Sequence, residues 1–160
     1  MGSFLTLLSC DTRIVKIAVR KVVVDSSVVI KWYVPQPYSL EAREILKAYQ
    51  NGSLLLLAPD LIYAEVGNII WKIQRFQGLS NTDAQDILNA FQLIAFDLTP
   101  AASLLNDAYD LAINHQRSVY DALYVALSIR QQCQFVTADE KLVNAVSSRI
   151  QNVILIKNWS

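Results

Sequence analysis

Residues 21–33 read KVVVDSSVVIKWY. Three β-branched valines, Val22, Val23 and Val24, favour a strand, and Asp25, Ser26 and Ser27 supply the turn chemistry that ends it. A short helical piece follows over residues 28–33 and stops at Pro35-Gln36-Pro37, where the chain cannot continue a helix. A strand that leads through an acid-and-hydroxyl turn into a helix is half of a β-α-β unit, so the fold depends on whether that unit recurs.

It recurs along the whole chain. Ser39 is placed to cap a helix running to Gln50 and ended by Asn51-Gly52, and residues 53–58 form a second strand, apolar on both faces. Pro59-Asp60 opens a helix whose apolar positions Leu61, Ile62, Ile69, Ile70 and Ile73 recur at helical spacing as far as Gly78. Ser80-Asn81-Thr82-Asp83 has capping-box form and starts a helix through Leu93; residues 94–96 are expected to be a third strand. Pro100 begins a helix to about His115. Ser118 caps an unusually apolar helix that carries Asp121 near its head and is expected to bury Tyr124, Val125 and Ile129. Residues 135–136 are a strand, Thr137-Ala138-Asp139-Glu140 turns into a helix to Val146, and residues 153–156 are a last strand. Alternating strands and helices specify an α/β domain around a parallel sheet. With no repeat, low-complexity stretch or linker, residues 21–158 read as one domain.

Composition narrows the function. The chain has 160 residues, 53% of them hydrophobic, enough for a sizeable core. Fourteen Lys and Arg balance fourteen Asp and Glu, so no global field announces a nucleic acid or a membrane, and any such contact needs a local basic patch. Cys10 and Cys133 lack zinc-site or disulfide-framework spacing and suit a reducing cytoplasm. No apolar run is long enough to cross a bilayer. Residues 1–20 contain a short greasy tract at 4–10, but no basic residue precedes it and it is shorter than most signal cores. They read as an N-terminal extension, or as upstream sequence reached from an early start.

Ligand sites in open α/β sheets lie at the carboxyl ends of the strands. That rule selects Asp25 after the first strand, Glu65 early in the helix entered from the second, Asp121 early in the helix after Ser118, and Asp139 after residues 135–136. Each alone has an ordinary explanation. Asp25 can belong to a turn, Asp121 to a capping box, Asp139 can favour a helix N-terminus, and Glu65 with Asn68 and Lys72 can form a solvated stripe. Gathered at one edge, however, four acids repel, and a hard divalent cation resolves the conflict. Mg²⁺ or Mn²⁺ takes oxygen ligands and keeps waters, so carboxylates with Ser26, Ser27, Asn68 and Thr137 nearby have the right chemistry. Such a centre can polarise a phosphoryl oxygen and supply hydroxide, which points to phosphodiester hydrolysis.

These residues resemble the PIN-domain nucleases, particularly toxin ribonucleases of the VapBC type. The resemblance rests on VVVDSS with Asp25 and Ser26, APDLIYAEVGNIIW with Glu65 and Asn68, HQRSVYDALYVALS with Asp121, and FVTAD with Thr137 and Asp139. It implies a three-layer α/β/α domain with a mainly parallel sheet, and Asp25, Glu65, Asp121 and Asp139 as catalytic acids around one or two Mg²⁺ or Mn²⁺ ions. Asp25 and Asp121 would be the most direct ligands, Glu65 and Asp139 direct or water-mediated ones; Thr137 would orient them, with Ser26 and Asn68 in support. No histidine serves as a general base in that family, which leaves His115 as a helix-end residue.

The resemblance also implies a cytoplasmic homodimer or higher even oligomer that cuts RNA and is inhibited by a protein antitoxin. Lys31, Lys72, Arg75 and Arg117 lie near the motifs and are expected to neutralise substrate phosphates. Trp32, Tyr33 and Tyr63 are available to stack on bases, whereas Trp71 reads as core. A PIN nuclease acting in RNA processing or on DNA without an antitoxin, and a catalytically silent binding module, remain alternatives. A phosphoryl-accepting Asp25 is disfavoured because Ser27 stands where the dehalogenase-like motif needs a second acid.

Overall fold

The computed structural model describes residues 19–160. The expected extension over residues 1–20 therefore falls, up to residue 18, outside the described residues, as does Cys10. Strand β1 (Arg20–Val24) leads into the single turn of α1 (Ser26–Val29), which tightens into a 3₁₀ turn at Ile30–Trp32. Then come α2 (Ser39–Gln50), β2 (Leu54–Pro59), α3 (Ile62–Gln77), α4 (Asn81–Gln92), β3 (Asp97–Thr99), α5 (Ala101–His115) and α6 (Val119–Gln131). The chain ends with β4 (Gln134–Thr137), α7 (Glu140–Val146), β5 (Val153–Leu155) and a 3₁₀ turn.

The five strands form one sheet in the order β3-β2-β1-β4-β5, every pair parallel. β1 lies at the centre, with Val22 opposite Leu56 on one side and Gln134 on the other, and Val22, Val23 and Val24 are wholly buried. From β1 the chain builds outward through β2 and β3, then crosses back to add β4 and β5 on the other flank. The connections leaving β1 and β4 thus diverge, which opens a crevice at their carboxyl ends. Among the described residues, no helix is long and apolar enough to cross a membrane.

Helix α6 explains its own apolar sequence. It packs against β1, β2 and β4 while α5 covers its other side, so Ala122 through Ser128 are all buried. Ile129 breaks the expectation: it is 47% exposed, one step past the covered stretch.

Three further local readings are corrected. The third strand is Asp97–Thr99, opposite Leu57–Pro59, rather than residues 94–96. Ile94 and Phe96 are apolar because they plug the core beneath the turn after α4, where Phe96 stacks on Trp32 at 6.5 Å between ring centroids. Trp71 is not core: it lies beside the buried stripe of Ile62, Val66, Ile70 and Ile73 and is 54% exposed, with Phe76 edge-on against it. Ser39 does not cap α2. Tyr38 takes the N-cap position in the left-handed region at φ 68°, and the Ser39 hydroxyl accepts the Gln36 N–H instead. The capping serines Ser80 and Ser118 do accept the N–H three residues on, from Asp83 and Asp121.

Candidate active site

Asp25 occupies the junction of β1 and α1. Its Oδ1 accepts the N–H groups of Ser27 at 3.0 Å and Val28 at 3.3 Å, which makes it the N-cap of α1, and also the Ser27 hydroxyl at 2.5 Å. Its Oδ2 accepts the Thr137 hydroxyl at 2.5 Å. Both hydroxyls work twice. Ser27 Oγ accepts the Ala138 N–H at 2.9 Å, and Thr137 Oγ1 accepts the Asp139 N–H at 3.1 Å. These bonds tie the end of β1 to the end of β4 across the crevice. Asp139 in turn caps α7 through the Leu142 N–H. Burial nevertheless pushes Asp25 up to about 6, against the downward pull of the Ser27 and Thr137 hydroxyls and the Val28 and Ser27 N–H groups.

Glu65, in the first turn of α3, faces Asp25 from the neighbouring strand's connection. Its Oε2 accepts a short hydrogen bond from the hydroxyl of Tyr124, whose ring is buried in α6 and stacked on Phe135. Burial pushes Glu65 up to about 7; the Tyr124 hydroxyl opposes that rise, and the charges of Asp25 and Asp121 add to it. Burial and the adjacent Glu65 hold the Tyr124 phenol far above its ordinary range, so it stays a donor. Tyr124→Phe keeps the stacked ring and removes only this donor. Glu65 should then ionise roughly one pH unit higher, as read from carboxyl ¹³C shifts of metal-free protein, the size a single hydrogen bond supports. An unmoved titration would show that the hydroxyl does not hold Glu65.

Asp121 opens α6 beneath its Ser118 cap, and its Oδ2 accepts from Arg117 Nη2 at 3.2 Å. The same Nη2 lies 3.5 Å from Asp139 Oδ2. All four expected acids thus come to the crevice: Asp25 and Asp139 linked by Thr137, Glu65 within electrostatic reach of Asp25 and Asp121, and Asp121 joined to Asp139 by Arg117. Among the described residues, no three acids close tightly enough to surround an ion unaided. The donor set is all oxygen, and burial pushes two of its carboxyls, Asp25 and Glu65, upward. That chemistry fits a hard divalent ion that completes its shell with water.

The supporting residues divide. Ser27, one residue beyond Ser26, makes the structural bonds, while Ser26 is the half-buried first residue of α1. Asn68 is exposed one turn beyond Glu65. Lys31 is buried and donates to Gln36; burial lowers its pKa while the charge of Asp25 raises it. Lys72 and Arg75 are exposed on α3, and Arg75 lines a surface depression with Trp71 and Gln74. Arg117 is engaged by two acids and is not a free phosphate ligand. Trp32 is core, its indole N–H donating to Ala42, whereas Tyr63 is 38% exposed. His115 sits in the last turn of α5. Sequence reasoning gave Tyr124 no role beyond packing. Its signal was a phenol one turn after Asp121 in an apolar run, since a buried hydroxyl needs a partner.

An all-parallel α/β domain with acids at the β1/β4 crevice is the arrangement the PIN domain is built on. The PIN-domain profile matches residues 22–146, and the chain belongs to that family. Ribonuclease VapC3 of Pyrobaculum aerophilum is 34% identical over 124 residues, which cover 76% of this chain and 92% of that protein. The fold is shared with VapBC2 from Rickettsia felis, solved bound to a DNA fragment from their promoter: TM-score 0.57, 16% identity, 88% of this chain and 99% of that one. It is shared too with VapC20 of Mycobacterium tuberculosis, a Sarcin-Ricin loop cleaving toxin: TM-score 0.56, 14% identity, 78% of this chain and 94% of that one.

Proposed function

We propose that this protein is a divalent-metal-dependent endoribonuclease, the toxin of a toxin–antitoxin pair. The observation that carries the reading is the crevice itself. Asp25, pinned by Ser27 and Thr137, is set among Glu65, Asp121 and Asp139 in a chain closely similar in extent to a named VapC ribonuclease. Asp25, Glu65 and Asp121 would hold Mg²⁺ or Mn²⁺, with Asp139 contributing at the far side. When bound, the ion supplies Lewis-acid polarisation of the phosphoryl oxygen and a more acidic water.

The chain's own residues supply the positioning. Ser27 and Thr137 fix both oxygens of Asp25, Tyr124 fixes Glu65, and the Ser118 cap sets the start of α6 on which Asp121 rides. Lys72 and Arg75, exposed on the helix that carries Glu65, are the better phosphate ligands, while buried Lys31 would act on the site as a nearby charge. The named VapBC2 assembly supports an antitoxin partner, and cytoplasmic action as a homodimer follows the same reading.

Purified protein should cleave RNA in Mn²⁺ or Mg²⁺, and EDTA should reduce the rate at least about 100-fold, since loss of a Lewis acid removes several kcal/mol of transition-state stabilisation. Cleavage that persists unchanged in EDTA would overturn the metal-dependent reading.

A further inference from the structure

Arg117 lies between two of the four acids. One nitrogen, Nη2, spans the gap between Asp121 Oδ2 and Asp139 Oδ2, at 3.2 and 3.5 Å. A guanidinium stays protonated at any pH the protein meets, so this is a permanent positive charge. It is held in place from its backbone outward. Gln116 ends α5 in the left-handed conformation at φ 52°, the Arg117 N–H donates to Ala112 O at 3.1 Å, and Ser118 begins α6 at once. Arg117 lines a small cavity with Leu111, Ala122, Val125 and Leu142, between α5, α6 and α7.

The Nε atom is buried and has no partner among the described residues. Buried polar groups are usually hydrogen-bonded. Here its burial without a partner is tolerated while the head group reaches the two acids. Asp25 and Glu65, in contrast, have hydroxyl donors but, among the described residues, no Lys or Arg in ion-pair contact.

Resting on the reading that the acids hold divalent metal, we propose that Arg117 is a resident counter-cation that occupies the Asp121–Asp139 side and limits the centre to one divalent ion. The ion is directed to the side formed by Asp25, Glu65 and Asp121. A second ion near Asp139 would have to displace the guanidinium or sit against its charge, and both oppose binding. Arg117 is thus a positioning residue that sets metal stoichiometry, and it neutralises part of the acidic edge before any ion arrives.

Mn²⁺ titration followed by electron paramagnetic resonance and calorimetry tests this on the full-length protein. Wild type should bind one Mn²⁺. Arg117→Met, which keeps a packed stem, should bind two, with the first about tenfold tighter, as is typical of changes beside a metal site. Arg117→Lys should keep one. Circular dichroism melts confirm that each variant is folded, and Arg117→Gln provides the same comparison if the Met variant is not. Two ions on wild type, two on the Lys variant, or one ion of unchanged affinity on the neutral variants would overturn the proposal while leaving metal dependence intact. No Mn²⁺ binding by any of them would overturn both.

Discussion

Asp25→Asn should lower RNA cleavage by at least about 10³-fold and, at pH 8 without metal, raise the melting temperature. The first effect follows from the proposed function, in which Asp25, where β1 and β4 meet, would help hold a cation that stabilises the developing charge on the phosphate. The second follows from the same burial. An ionised Asp25 is enclosed by protein, which holds its pKa at about 6, so at pH 8 the fold carries a desolvated charge on the order of 3 kcal/mol above its exposed state. Asparagine keeps the shape and an oxygen for the Ser27 and Val28 N–H groups, and it caps helices as well as aspartate does. Its amide can donate to Thr137, whose hydroxyl is free to turn. A melting temperature roughly 5–10 °C higher would match that energy in a domain of this size. Lower activity accompanied by a lower melting temperature would instead mark Asp25 as a structural cap.

Without metal, stability should fall as pH rises from 5 to 8. Asp25 at about 6 and Glu65 at about 7 keep protons in the folded protein that an unfolded chain gives up near pH 4. The folded state therefore binds more protons throughout that interval, and stability declines with pH until both groups have ionised. Asp25 accounts for about 1–2 kcal/mol of the decline between pH 5 and 8, since about half of its total of roughly 3 kcal/mol is already lost below pH 5. Glu65 adds to it in the same direction, less effectively because part of its carboxyl meets solvent. Saturating Mn²⁺ should flatten the profile, because a cation favours the ionised forms, and should add about 2.7 kcal/mol at a hundredfold excess over Kd. Thermal melts at several pH values, with EDTA and with Mn²⁺, would show it. A metal-free profile that rises from pH 5 to 8 would mean the carboxyls are not held as described.

The sequence carries some of this plainly and some not at all, for physical reasons. Asp25 was legible because an acid directly after three valines must lie at a strand end, and Ser80 and Ser118 because a cap is a contact between residues three apart. Ser27 rather than Ser26 was not, because which serine turns inward depends on the phase of a one-turn helix. Asp97–Thr99 was hidden because a short edge strand is defined by its partner, here Leu57–Pro59, while the greasier Ile94 and Phe96 serve packing. Trp71 and Ile129 show the limit of reading apolarity as burial. Each sits one step off a buried stripe, and only the placement of neighbouring helices decides which side is covered. Arg117 and Asp121 are four residues apart, a spacing open to local reading, but Asp139 lies 22 residues further along from Arg117, and no local pattern encodes that half of the bridge.

The bonds from Ser27 and Thr137 set a timetable. Asp25 leaves the ribosome early, yet the hydroxyl that fixes its second oxygen is 112 residues further along, on the strand that docks beside β1. At ordinary synthesis rates of roughly 5–20 residues per second, Thr137 follows by several seconds or more. Through that interval the nascent chain holds Asp25 without the second half of its clamp, and Asp139 follows later still. A crevice closed between β1 and β4 is complete only once β4 has been made.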